Sequence, residues 1–286
     1  MRISIASGKG GTGKTTLTTL MMQKAPTDSI IWVDCDVEAP DGDVFGEVEW
    51  RQEQVVTRQV PELFGECIGC GTCADLCRFQ ALAMAGGKPM VFPELCHSCG
   101  VCVRHCPAQV LRERPEEVGQ VRCGVWRKDG QEHVYIQGLL KIGSVASTVV
   151  IDAAKKAAAA GKPELTLVDC PPGTTCSMVA AVKGSDCCIL VTEPSLFGIH
   201  DLRGALSVAA RIGIPAGVVL NKSDGSHLEK EVEKLCQTMN VPLLLRIPYS
   251  REFAQKYAAG NIDTQISVDW PNFWLQVRAL AKGDKA

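Results

Sequence analysis

Gly8-Lys9-Gly10-Gly11-Thr12-Gly13-Lys14-Thr15-Thr16 follows the apolar run Ile3-Ser4-Ile5-Ala6 and precedes a stretch expected to be helical from Thr15 to Lys24. A short buried strand therefore enters a glycine-rich turn and leaves it as a helix. Glycines at this density let successive backbone N–H groups turn inward around phosphate oxygens, and the helix N-terminus adds a favourable dipole. The run satisfies G-x-x-x-x-G-K-[ST] in the strand–loop–helix setting that gives the pattern its meaning. Lys14 is expected to reach the β- and γ-phosphates of a nucleotide, and Thr15 to ligate Mg²⁺.

Working outward, Ile30-Ile31-Trp32-Val33 reads as a second strand that ends at Asp34 and Asp36. Acidic residues at the end of a buried strand mark the carboxyl edge of a parallel sheet. Strands are expected again at Leu165 to Val168, Cys188 to Val191, Val218 to Leu220 and Leu243 to Leu245, with helices near 177–184, 200–211, 227–239 and 250–259. An alanine-rich helix is expected from Ser144 to Ala160. Residues 118–138 read as a hairpin, with Val121 to Trp126 and His133 to Gln137 flanking Lys128-Asp129-Gly130.

Between these two regions the character changes. Cys67-x2-Cys70-x2-Cys73-x3-Cys77 is followed, 29 residues on, by Cys96-x2-Cys99-x2-Cys102-x3-Cys106-Pro107, with Gly86-Gly87-Lys88-Pro89 as the turn between two similar halves. Thiolates suit iron, and four evenly run cysteines, twice over, have the spacing of a protein with two [4Fe–4S] clusters. The fourth cysteine of each run then serves the other cluster: Cys67, Cys70, Cys73 and Cys106 hold one, and Cys77, Cys96, Cys99 and Cys102 the other. Zinc is the competing reading, but it favours paired CxxC knuckles and a long spacer. Arg78 stands after Cys77, where a proline is expected, which leaves the chain path there open. His97 and His105 are read as loop residues close to the cluster sulfurs rather than as ligands. Of the remaining cysteines, Cys187, Cys188 and Cys236 are read as small buried hydrophobes.

The fold expected is α/β: a mostly parallel P-loop nucleoside-triphosphatase sheet with helices on both faces, plus an inserted small ferredoxin-like α+β domain. The expected division is residues 1–60 and 118–286 for the nucleotide-binding domain and 61–117 for the insert.

Lys9, early in Lys9-Gly10-Gly11-Thr12-Gly13-Lys14-Thr15-Thr16, resembles the extra lysine in the deviant phosphate loop of the MinD/ParA/nitrogenase-iron-protein group. The resemblance implies an ATP-sandwich homodimer in which Lys9 reaches the partner's nucleotide. Asp34-Cys35-Asp36 resembles the group's first switch region, with Asp36 orienting the attacking water. Asp169-Cys170-Pro171-Pro172-Gly173 resembles its second, with Asp169 holding Mg²⁺ through water, and Asn221-Lys222-Ser223-Asp224 resembles its adenine-reading segment, with Asn221 on the base. Cys176 lies about where the nitrogenase iron protein carries an intersubunit cluster ligand. Together with Gly138 to Gly143 and Thr192 to Leu202, the chain resembles MinD-superfamily ATPases that carry an inserted ferredoxin domain.

Composition narrows the classes. Thirty Lys and Arg against thirty-two Asp and Glu give a net charge of −2, which offers no electrostatic case for nucleic acid. No run of about 18 apolar residues is present, and residues 1–6 lack the pattern of a signal peptide. Fifteen cysteines in such a chain suggest metal or redox chemistry in a cytoplasmic protein. The aromatic segment Trp270 to Val277, ending near Lys282 and Lys285, lacks the strongly basic face of a membrane-docking helix. The expected activity is ATP binding and hydrolysis, slow without a partner, in which nucleotide-dependent dimerisation is coupled to electron transfer with a redox or cluster-bearing protein. A cluster assembly or carrier ATPase and a redox-sensing spatial organiser are the alternatives.

Overall fold

The computed structural model describes residues 1–262, 266 and 268–283. β1 (Arg2–Ala6), α1 (Lys14–Gln23) and β2 (Ile30–Asp34) form the opening strand–helix–strand unit. The β2 strand is buried at all five positions, as parallel strands covered on both faces are. The chain then runs outward along β3 (Glu47–Leu63). It forms two four-residue helices and a small hairpin, in the order α2 (Thr72–Asp75), β4 (Leu82–Ala85), β5 (Lys88–Val91) and α3 (Val101–Arg104). It returns along β6 (Leu111–Lys128) and turns back through β7 (Gln131–Leu140).

Strand and helix then alternate: α4 (Ser147–Ala160), β8 (Leu165–Asp169), α5 (Cys176–Val182), β9 (Cys187–Thr192), α6 (Leu196–Arg211), β10 (Ala216–Ser223), α7 (His227–Met239), β11 (Leu243–Pro248), α8 (Arg251–Ala258) and α9 (Trp270–Lys282). α6 begins four residues before its expected start because the Ser195 hydroxyl caps it, accepting from the Gly198 N–H at 3.0 Å.

Nine strands share one sheet in the order β11-β10-β9-β1-β8-β2-β7-β6-β3. From β11 to β7 every neighbour is parallel, whereas β6 and β3 are added antiparallel. One apolar layer packs α4, α5, α6 and α7 against the sheet, through residues such as Ile151, Met178, Leu206 and Val232. The other packs α1 and α9, through Leu17, Leu20, Phe273 and Trp274.

The expected hairpin is present, but its first strand is far longer than expected. β6 pairs with β7 from Gly119 to Lys128 and with β3 from Leu111 to Arg127. Gly119 lies opposite Leu140, at the end of β7, so the β3/β6 ribbon continues past the carboxyl edge of the sheet. The cysteine-rich segment sits at its tip, on the same side of the sheet as the glycine-rich loop.

No helix among the described residues is long and apolar enough to cross a membrane. The aromatic face of α9 is turned inward: Phe273, Trp274 and Val277 are buried, and the Trp274 indole donates to the Lys24 carbonyl at 2.7 Å. Lys285 lies outside the described residues. Trp274→Ala removes a buried ring and strands that carbonyl, so a loss of about 3–5 kcal/mol is expected, measurable by urea unfolding.

Candidate functional site

The loop after β1 is fixed by close backbone approach. Gly13 has φ +98, and a Cβ there would sit 2.2 Å from the Asn221 amide nitrogen. That nitrogen donates to the Thr12 carbonyl at 2.7 Å. A side chain at Gly8 would meet the Asp201 carbonyl at 2.3 Å. Lys14, Thr15 and Thr16, which open α1, are buried, whereas Gly10 and Gly11 are exposed. The Thr12 hydroxyl is buried without a partner. Asn221 thus stands beside the loop, with its amide engaged in holding it.

The acidic residues gather at the carboxyl edge. β2 and β8 pair with Asp34 opposite Asp169, and the Cys35 N–H donates to the Asp169 carbonyl at 2.8 Å. Asp34 is fully buried and accepts from the Tyr135 hydroxyl at 2.9 Å and from the N–H groups of Asp36 and Gly42. Asp169 is also buried, but neither of its oxygens has a hydrogen-bond partner. Burial, reinforced by the charge of Asp34, pushes the Asp169 carboxyl well above the usual range, and the charge of Lys14 opposes the shift. A buried carboxylate without a donor, beside a lysine and a threonine at a helix start, suits a hydrated divalent cation. Asp36 is half-buried, and burial raises it to about 6 against the pull of Lys14. Asp41, which the sequence reading passed over, joins this group: burial raises it too, with the Thr15 hydroxyl and Lys14 pulling the other way.

Lys9 ion-pairs with Glu193, and Lys222 donates to the other Glu193 oxygen at 2.8 Å and to the Gly11 carbonyl at 2.9 Å. Glu193 therefore ties two lysines to the phosphate loop within one chain. It stands in the Thr192-Glu193-Pro194 run already singled out, but nothing in the sequence alone joins it to Lys9.

At the tip of the ribbon the cysteines line two separate cavities. Cys67, Cys70, Cys73 and Cys106 line one, with Leu63 and Leu111. Cys77, Cys96, Cys99 and Cys102 line the other, with Gln59, Pro61 and Glu113. The fourth cysteine of each run thus lies with the first three of the other run. Among the described residues no group of three or more His, Cys, Asp or Glu side chains is placed to hold a metal ion.

The backbone repeats as the sequence does. Gly69 and Ser98, Gly71 and Gly100, and Gln80 and Gln109 are pairs 29 residues apart, all with positive φ. The Gly69 and Ser98 N–H groups donate to the Cys67 and Cys96 sulfurs at 3.4 Å. After Cys77 the chain turns as it does after Cys106: the Gln80 and Gln109 N–H groups donate to the Cys77 and Cys106 carbonyls at 3.1 and 3.0 Å. Arg78 in place of proline does not alter that path. His97 stacks on Phe79 and His105 faces the Val101 carbonyl; neither hydrogen-bonds a cysteine sulfur among the described residues. Cys35, Cys170, Cys187, Cys188 and Cys236 are buried, while Cys176 is exposed at the first turn of α5.

A parallel α/β sheet with this loop and acidic edge defines a P-loop nucleotide-binding protein. The chain belongs to the CobQ/CobB/MinD/ParA nucleotide binding domain family, whose model matches residues 3–262, and by family it is an ATPase. Uncharacterized protein MJ0578 of Methanocaldococcus jannaschii is 30% identical over 230 residues, covering 80% of each chain. The Mg-ADP complex of the septum site-determining protein MinD from Pyrococcus horikoshii shares the fold, with a TM-score of 0.58, 20% identity and coverage of 100% of this chain and 98% of that one. A partial match joins 83 residues, 29% of this chain, to 25% of one component of the Na(+)-translocating ferredoxin:NAD(+) oxidoreductase complex of Acetobacterium woodii, at 32% identity.

A carboxyl held up at about 6 when folded, against 3.8 when exposed, keeps its proton longer in the folded state. Its stabilising contribution is complete below about 3.8 and is lost as pH rises through about 6. Asp36→Asn is therefore expected to flatten the fall in stability over that window in the nucleotide-free protein, measured by urea unfolding at a series of pH values.

Proposed function

We propose that this ATPase carries two [4Fe–4S] clusters in residues 61–117, and that residues 1–60 and 118–286 form the nucleotide-binding body whose dimerisation gates electron transfer to a partner protein. The observation that carries the reading is the sorting of eight cysteines into two interleaved cages at the tip of a ribbon continuous with the ATPase sheet. A cubane presents an iron at each of four corners, so its thiolates surround a volume instead of meeting at a point, and when bound it supplies one-electron chemistry. Backbone N–H groups already aimed at Cys67, Cys77 and Cys96 suit thiolate ligands.

In the nucleotide site, Lys14 neutralises phosphate charge, Thr15 and Asp169 would hold Mg²⁺, which would offset further phosphate charge, and Asp36 positions the attacking water. The glycine-rich loop from Gly8 to Thr16 cradles the phosphates, and Asn221 both steadies that loop and borders the base. Lys9, paired here with Glu193 of its own chain, exchanges that partner for the nucleotide of a second copy.

The link between the two functions runs through backbone. The Leu140 N–H donates to the Val37 carbonyl at 2.8 Å, and the Lys141 N–H to the Val118 carbonyl at 2.9 Å. Val37 directly follows Asp36, and Val118 lies on β6, so a shift of the first switch is felt at the base of the ribbon.

Anaerobic reconstitution is expected to give about eight iron atoms per chain. Cys67→Ser with Cys106→Ser removes one cage and leaves about four, whereas Cys96→Ser with Cys106→Ser damages both. Zinc in place of iron, or equal losses in the two pairs, contradicts the assignment. MgATP is expected to convert monomer to dimer in light scattering, and Lys9→Ala to prevent it.

A further inference from the structure

The two cysteine cages are related by the 29-residue repeat, but the charges around them are not. Arg104 closes α3 and donates to the Cys99 carbonyl at 2.8 Å. Its counterpart in the first run is Asp75, at the end of α2, whose carboxylate lies against Gly71, the residue after Cys70: a Cβ there would sit 3.9 Å from it. Arg58 is buried in β3 and donates to the carbonyls of Pro93 and Cys96 at 2.6 and 2.7 Å. Among the described residues, no arginine hydrogen-bonds a ligand carbonyl of the other cage. Arg78 follows Cys77, where Pro107 follows Cys106. Glu113 lines the Arg58 side and offsets part of this charge, and its carboxylate and the Arg104 guanidinium both crowd Gly100.

Ligand exposure is nearly matched between the cages. Cys73 and Cys102 are both buried, Cys70 and Cys99 both exposed, and Cys77 and Cys106 both half-buried. Cys96 is more buried than Cys67, which alone would disfavour added negative charge beside it; the buried guanidinium of Arg58 acts against that. Charge is thus one difference between the two sites, and net charge is one of the levers that set cluster potential.

We infer that Arg58 and Arg104 on one side, and Asp75 on the other, give the two cages unequal electron affinity, so that an electron rests in the Cys77/Cys96/Cys99/Cys102 cage. This rests on the two-cluster reading above. That cage is the proximal one, lined by Gln59 and Pro61, while the distal cage meets the ribbon at its end, at Leu63 and Leu111. In the step itself one electron leaves the distal cage, which is oxidised, and enters the proximal cage, which is reduced; no bond is made or broken. An external low-potential one-electron donor, dithionite in the test, supplies it. The order draws the electron toward the nucleotide-binding body.

The test is a dithionite titration of the anaerobically reconstituted full chain, without nucleotide, followed by electron paramagnetic resonance. Two one-electron steps are expected, separated by at least tenfold in electron affinity, or about 59 mV. Arg58→Gln lowers the upper step, and Asp75→Asn raises the lower one. Arg104→Gln, at an exposed position, also lowers the upper step by a smaller, salt-sensitive amount, and gives the reading if Arg58→Gln fails to take up iron. Eight irons with a single unsplit step, or arginine variants that move the lower step, overturn the charge ordering alone. Iron well short of eight, with no [4Fe–4S] signal, overturns the two-cluster reading and this inference with it.

Discussion

One strand belongs to both halves of the molecule. β6 is hydrogen-bonded to β7 at the ATPase sheet and to β3 along nearly its whole length, so the cysteine segment is joined to the body by a paired ribbon instead of a linker. A paired ribbon resists bending and register slip far better than two single chains, because movement at one end must break or carry the ladder. The base of this ribbon meets the residues that follow Asp36, through Val37, Leu140 and Val118. What happens at the carboxyl edge of the sheet therefore has a mechanical route to the cysteines.

The nucleotide site holds its acids under tension. Asp34 and Asp169 face each other across adjacent strands, both buried. Asp34 is satisfied by Tyr135 and two backbone N–H groups, whereas Asp169 has no donor. A buried carboxyl without a partner is costly, and a divalent cation beside Lys14 and Thr15 would offset that cost. The aromatic packing around Trp32, Trp126 and Tyr135 keeps this corner rigid: the Trp126 indole donates to the Gly42 carbonyl at 3.1 Å, and Tyr135 lies against Trp32.

The parallel core was legible because its strands are short, apolar and punctuated by glycine and acidic residues. The phosphate loop was legible because its chemistry demands fixed spacing, and the repeat of the two cysteine runs because it recurs in the backbone 29 residues apart. β3 was not. Its middle, Arg51 to Gln54, is exposed and polar, as suits the outermost strand of the sheet, and that masks the period of two. Pro61 and Pro115, tolerated where a ladder is at an edge, further disguise β3 and β6. The Lys9–Glu193–Lys222 cluster joins residues far apart in sequence, and no local pattern announces such a contact. Arg58 was invisible for the same reason: its partners lie 35 and 38 residues away.

We propose that nucleotide state and cluster state are coupled through the ribbon. Coupling is reciprocal, so it can be read from either end. The most direct measurement is the reduction potential of the reconstituted protein with and without MgATP. A shift is expected; one of about 59 mV for a one-electron step means that reduction changes ATP affinity about tenfold. Identical potentials in both states, with iron fully bound and ATP-driven dimerisation intact, would contradict it.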